Sequence, residues 1–66
     1  MKVWINGSTA AVDPAVTVGR LVDDLGRGRK GVAVAVNESV VPRSRWDATT
    51  LHDDDRVEVL TAAQGG

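Results

Sequence analysis

Apolar and polar positions alternate along Met1 to Asn6, with Met1, Val3 and Ile5 on one side and Lys2, Trp4 and Asn6 on the other. That period predicts a half-buried strand. Asn6-Gly7 suits the positive φ angles of a tight hairpin turn, and Ser8 to Val12 reads as the returning strand, stopped at Asp13-Pro14 because proline lacks a ladder donor. The period then changes. Val18, Leu21, Val22 and Leu25 follow helical spacing behind Thr17, a capping residue, so a short helix is expected from Thr17 to Leu25. Asp23 and Asp24 fall on its outer face, Gly19 weakens it, and Gly26 can end it in the left-handed conformation. Val32 to Val36 is a third strand, with valines on one face and alanines on the other. Val40 and Val41 make a shorter one, broken at Pro42. Trp46 and Leu51 plug the edge of the core from an irregular stretch. Asp53, Asp54 and Asp55 form a turn before a last strand, Arg56 to Thr61, whose Val57 and Val59 alternate with Glu58 and Leu60.

The order strand, strand, helix, strand, short strand, strand gives one apolar sheet face and one amphipathic helix to cover it. The class is α+β: a mixed sheet of four to five strands with one helix packed on one face (ββαββ). The helix must be the crossover between strands two and three, which favours a β-grasp with first and last strands parallel and central. Sixty-six residues allow one domain, over 1–61, followed by a flexible tail over 62–66. A chain this short buries only roughly 60 % of its unfolded surface. Twelve valines, two tryptophans and no Phe or Tyr indicate a slim aliphatic core in a β-rich domain.

Charge and cysteine content remove several functions. Eight basic against nine acidic residues argue against nucleic-acid binding by phosphate neutralisation. No cysteine is present, hence no disulfide, thiolate metal site or Cys nucleophile, which suits a cytoplasmic protein. The longest apolar run, Val32 to Val36, is far too short to cross a bilayer, so no membrane partner is expected. Gly26 to Gly31, GRGRKG, has the letters of a dinucleotide fingerprint, but here a helix ends and a strand begins, the reverse of what aims helix amides at a pyrophosphate. Arg27, Arg29 and Lys30 in that loop could attract an anionic partner, although such cations are usually just solvated. His52 beside Asp53–Asp55 lacks an EF-hand's glycine and final glutamate. No catalytic side-chain set and no metal site emerge.

The tail is left. Thr61-Ala62-Ala63-Gln64-Gly65-Gly66 loses side chain toward its end, and the five residues after Thr61 span about 16–18 Å when extended. Such a tail can be a frayed terminus, or it can thread a narrow channel and bring the Gly66 carboxylate to a partner's catalytic groups. With a pKa near ~3.3–3.7 that carboxylate is ionised and a poor electrophile. A reaction there needs activation from outside. On the face away from the helix, alternation places Trp4, Ala33, Ala35 and Leu60, an apolar patch of the kind that docks a partner; alternatively Trp4 merely covers its own sheet.

The stretches MKVWINGS, TVGRLVDDLG, VAVAVNESVVPRSRW and DDDRVEVLTAAQGG resemble the sulfur carrier proteins of thiamine biosynthesis (ThiS), a family of the ubiquitin-like β-grasp superfamily. The likeness runs the whole length, and Val41-Pro42-Arg43-x-x-Trp46 is its most specific part. One departure is Asp54-Asp55, where the family commonly has Gly-Asp. The resemblance implies that an E1-like adenylyltransferase (ThiF-type) adenylates Gly66 with ATP. A donor such as a cysteine desulfurase then supplies sulfur for a terminal thiocarboxylate, and thiazole synthase (ThiG-type) takes that sulfur. Gln64 and Gly65 would thread the partner's active site. The chain would bind no cofactor itself, act as a carrier rather than an enzyme, and be a monomer when free. The same tail would also serve another sulfur carrier, such as a molybdopterin synthase small subunit, or a ubiquitin-like modifier.

Overall fold

The computed structural model describes residues 1–61; the 62–66 tail, with Gln64, Gly65 and Gly66, lies outside the described residues. Five strands form one sheet: β1 (Lys2–Ile5), β2 (Ser8–Ala11), β3 (Val32–Val36), β4 (Ser39–Val41) and β5 (Arg56–Thr61). Their order is β2-β1-β5-β3-β4. β1 and β5 are adjacent and parallel, with Trp4 beside Arg56 and Ile5 beside Val57, and every other pairing is antiparallel. This is the expected β-grasp.

The helix α1 covers Val18–Asp24. Thr17 caps it, its Oγ1 accepting from the Arg20 N–H at 3.1 Å. Gly26, at φ +77°, ends it, and its N–H donates to Asp23 O at 3.1 Å. Leu25 departs from the expected helical stripe. It occupies the C-cap and is 40 % exposed, because the chain turns away one residue before a fourth apolar position could reach the sheet.

The core is Val3, Val18, Leu21, Val22, Val34, Trp46, Leu51 and Val57. Trp46 does not plug the edge from an irregular stretch. It sits on a 3₁₀ helix, Arg43–Ala48, and is 1 % exposed, the largest fully buried side chain. Pro42 sets the extended entry to that helix, and the Trp46 indole N–H donates to Val41 O at 2.9 Å. An indole can be buried in a core only where its N–H finds an acceptor. The Val-Pro-Arg-x-x-Trp segment is therefore a device for placing one large ring.

Two asparagines hold the central strand, one at its start and one past its middle. Asn6 and Gly7 adopt φ +51° and +86°, the double positive turn that matches strand twist. From that turn the Asn6 side chain accepts from Val59 N–H at 2.9 Å and donates to Val59 O at 3.1 Å. The carboxamide thus continues the ladder where β1 has ended. Asn37, at φ +50° in the β3–β4 turn, accepts from Arg56 N–H through its side chain at 2.9 Å and donates its own N–H to Arg56 O at 2.7 Å.

Asp54 has φ +68°, a left-handed conformation that favours glycine. Asp tolerates this conformation better than most residues. Its N–H donates to Lys2 O at 2.7 Å and its carboxylate meets Lys2 Nζ at 3.0 Å.

Two stability predictions follow from these placements, both read by urea denaturation. Leu51→Ala should cost about 2–5 kcal/mol, whereas Leu25→Ala should change stability by no more than about 0.5 kcal/mol; equal losses would contradict the assignment of Leu25 to the surface. Asn6→Asp replaces the donor facing Val59 O with a carboxylate oxygen, and should cost about 1–3 kcal/mol while speeding hydrogen exchange at Val59. Unaltered Val59 exchange would show that the side-chain ladder does not hold β5.

Candidate functional site

With no catalytic cluster in prospect, the candidate site is the end of β5 and the sheet face beside it. Among the described residues, no group of three or more His, Cys, Asp or Glu could hold a metal. His52 is a surface group, its side chain 81 % exposed.

The outer face carries the four expected docking residues, in two places. Leu60 lies directly across from Ala33, and Ala35 across from Glu58 on one side and Val40 on the other. Leu60 is 65 % exposed and Val40 76 %. Ala33, Ala35, Leu60 and Val40 thus make a step of apolar surface with a low floor. Val40 belongs to it by register, which its position in a very short strand did not reveal. Trp4 is on the same face but at the level of Arg56, four residues along β5 from Leu60. It is half-buried, with the Lys2 ammonium 5.2 Å from its ring centre. It borders a shallow cleft with Gly7, Arg56 and Glu58. Register, which alternation alone does not supply, separates Trp4 from the others.

The end of the sheet where β5 finishes meets the loop after α1. Thr61 pairs with Val32, and the Val32 N–H donates to Arg29 O at 3.3 Å. Arg29 is not a solvated cation. Its guanidinium bonds Asp23 through Nε at 2.9 Å and Nη2 at 3.0 Å, and Asp47 through Nη2 at 2.9 Å and Nη1 at 3.2 Å. Its carbonyl accepts from Arg43 Nη2 at 2.6 Å. Both guanidinium carbons lie 5.9 Å from the Trp46 ring centre. Gly19 makes the arrangement possible, since a Cβ there would collide with the Asp47 carboxylate and the Arg29 guanidinium. The helix-weakening glycine of the sequence is a close-approach glycine in the fold.

Hydrogen bonds from Arg29 hold the Asp23 and Asp47 carboxyls below their ordinary value, and the two carboxylates raise Arg29 in turn. A carboxyl depressed by folding contributes stability above its unfolded pKa, about 3.9, and loses it as pH falls through the lower folded value. The stability difference between the wild-type chain and Arg29→Met should therefore be constant near neutrality and shrink below about pH 4. Urea denaturation across that range measures it, and a pH-independent difference would contradict the pairing.

Comparison with known proteins agrees with this geometry. The model of the ThiS family matches residues 3–66. The sulfur carrier protein ThiS of Escherichia coli is 27% identical over 66 residues, 100% of both chains. The thiazole synthase of Paramagnetospirillum magneticum is 33% identical over 66 residues, which are 100% of this chain and 20% of that protein; this chain thus spans about a fifth of the length of such relatives. The crystal structure of the thiamine biosynthesis protein ThiS from Geobacter metallireducens matches with a TM-score of 0.83 at 35% identity, covering 100% of each chain. On a family match over nearly its whole length and a five-stranded β-grasp sheet with one covering helix, the chain belongs to the ThiS family.

Proposed function

We propose that the chain carries sulfur for thiazole formation on the main-chain carboxylate of Gly66. The observation that carries this reading is the way β5 is held: bonded by β1 and Asn6 on one side and by β3 on the other, up to Thr61 opposite Val32. A strand so fixed launches the five residues that end in Gly65-Gly66 from a defined point, with an extended reach of about 16–18 Å. The family match extends through residue 66, which supports a role for those residues. The name of the Escherichia coli relative supports sulfur as the cargo. The likeness to a stretch of thiazole synthases supports thiazole synthase as the acceptor.

The chemistry starts from an inert group. An oxygen of the Gly66 carboxylate attacks the α-phosphorus of ATP on an E1-like adenylyltransferase, pyrophosphate leaves, and the carbonyl carbon becomes electrophilic. The terminal sulfur of a persulfide, from a donor such as a cysteine desulfurase, adds to that carbon and AMP leaves. A thiol then cleaves the sulfur–sulfur bond of the acyl persulfide, forming a disulfide and leaving the thiocarboxylate on Gly66. The chain has no cysteine, so the sulfur rides on the main chain. Gln64 and Gly65 thread the partner's channel, the apolar step with Leu60, Ala33 and Ala35 rests against its surface, and Trp4 flanks it. The protein is consumed and regenerated as a co-substrate, with ATP and the sulfur donor bound by its partners.

Carrier-dependent pyrophosphate release by the cognate adenylyltransferase tests this. Deleting Gly66 should lower the rate about a hundredfold, the expected effect of misplacing the reacting group by ångströms. Leu60→Asp should raise KM for the carrier and leave kcat and the circular dichroism spectrum unchanged. Pyrophosphate release as fast with the Gly66 deletion as with the wild-type chain would contradict the proposal.

A further inference from the structure

The loop Arg27–Lys30 is the sequence feature that the carrier chemistry leaves unused. Its position follows from register. β5 runs from the Asp53–Asp55 turn to Thr61, β1 runs beside it in the same sense, and β3 runs back. Asp13, which follows β2, and Glu38, in the β3–β4 turn, therefore lie with Asp53, Asp54 and Asp55 at the end of the sheet where β5 starts. Lys2 and Arg56 offset part of that charge. The residues between α1 and β3 lie at the opposite end, where β5 finishes. There Asp23 and Asp47 share Arg29, Asp24 is paired with Arg20 and Arg43 bonds the Arg29 carbonyl, while Arg27 and Lys30 are exposed and have no ion pair among the described residues, so that this end keeps a small excess of positive charge. A chain of net charge −1 is thus polarised, negative where β5 begins and positive where it ends.

Beside that positive end lies a cleft lined by Ile5, Leu25, Arg27, Val59 and Thr61. Leu25, left half outside the core at the helix C-cap, forms its apolar lip. The Arg29 bonds to Asp23, Asp47 and Arg43 hold the loop in place, so Arg27 and Lys30 are presented from a fixed base.

Resting on the carrier reading, we propose that Arg27, Lys30 and the Leu25 cleft form a cationic collar around the root of the tail. It docks on a rim of Asp and Glu side chains at the mouth of the activating enzyme's channel, with one apolar side chain of that rim seated against Leu25. The polarised charge turns the tail end toward the mouth during encounter, which raises the productive on-rate without entering the chemical step. This contact is separate from the apolar step on the sheet face, and it recognises charge where that step recognises shape.

The test measures carrier-dependent pyrophosphate release with the wild-type chain, with the Arg27→Glu/Lys30→Glu double variant, and with Arg45→Glu, on the 3₁₀ helix, as a charge control. At low ionic strength the double variant should lose about tenfold or more in kcat/KM with kcat at saturating carrier unchanged. Its activity should also lose the salt sensitivity that screening confers on wild type. Arg45→Glu should stay near wild type. Equal kcat/KM in the double variant, or an equal loss in Arg45→Glu, overturns the collar. A faster double variant would mean that the loop holds the chain's own Gly66 carboxylate, and overturns it too. No pyrophosphate release from the wild-type chain would instead contradict the carrier reading, and the collar with it.

Discussion

Everything in this small domain depends on how its last strand is held. β5 runs through the middle of the sheet, with Val57 buried and five of its residues paired to β3. Its partner on the other side, β1, ends at Ile5, and the Asn6 carboxamide replaces the missing main chain at Val59. A peptide-like side chain in a positive-φ turn can do this because it offers the same donor and acceptor as the backbone it stands in for. Asn37 holds Arg56 with one side-chain acceptor and its own main-chain N–H. Burial makes the strand stable, and the two asparagines make it stable along most of its length. A strand secured in this way gives the proposed carrier chemistry a fixed origin at Thr61.

The rest of the core serves the same end with few large side chains. Trp46 is the largest fully buried side chain and the core's one aromatic ring among the described residues. Two guanidiniums, a proline and a carbonyl acceptor hold it there. Arg29 links that ring, the helix and the loop next to Thr61 into one unit, and Gly19 gives the unit room. Net attraction of exposed ion pairs is small; the gain here is position, since one side chain sets a loop, a helix end and the cover of the core.

Much of this was legible in the sequence. The alternation of Val3 and Ile5, the valine–alanine alternation of β3 and the helical spacing behind Thr17 are local signals, and each led to the right element, as did Asn6-Gly7 and Gly26 at their turns. What was not legible depends on long-range geometry. Leu25 fits the helical period but falls after the helix stops. The distance between Trp4 and Leu60, and the membership of Val40, are set by strand register. The partners of Arg29 lie 6 and 18 residues away, beyond any periodicity. The role of Asn6 at Val59, 53 residues on, is hidden behind its obvious role in the turn. The dinucleotide-like run Gly26 to Gly31 failed for the opposite reason: its letters were right and its structural order was wrong.

The proposed carrier role rests on a single reacting group, the Gly66 carboxylate, and one measurement addresses it. The intact chain, incubated with its adenylyltransferase, ATP and a persulfide donor, is weighed and fragmented in a mass spectrometer. The account predicts a gain of one oxygen-to-sulfur exchange, carried entirely by fragments that contain Gly66. No gain, or sulfur on any other residue, would contradict it.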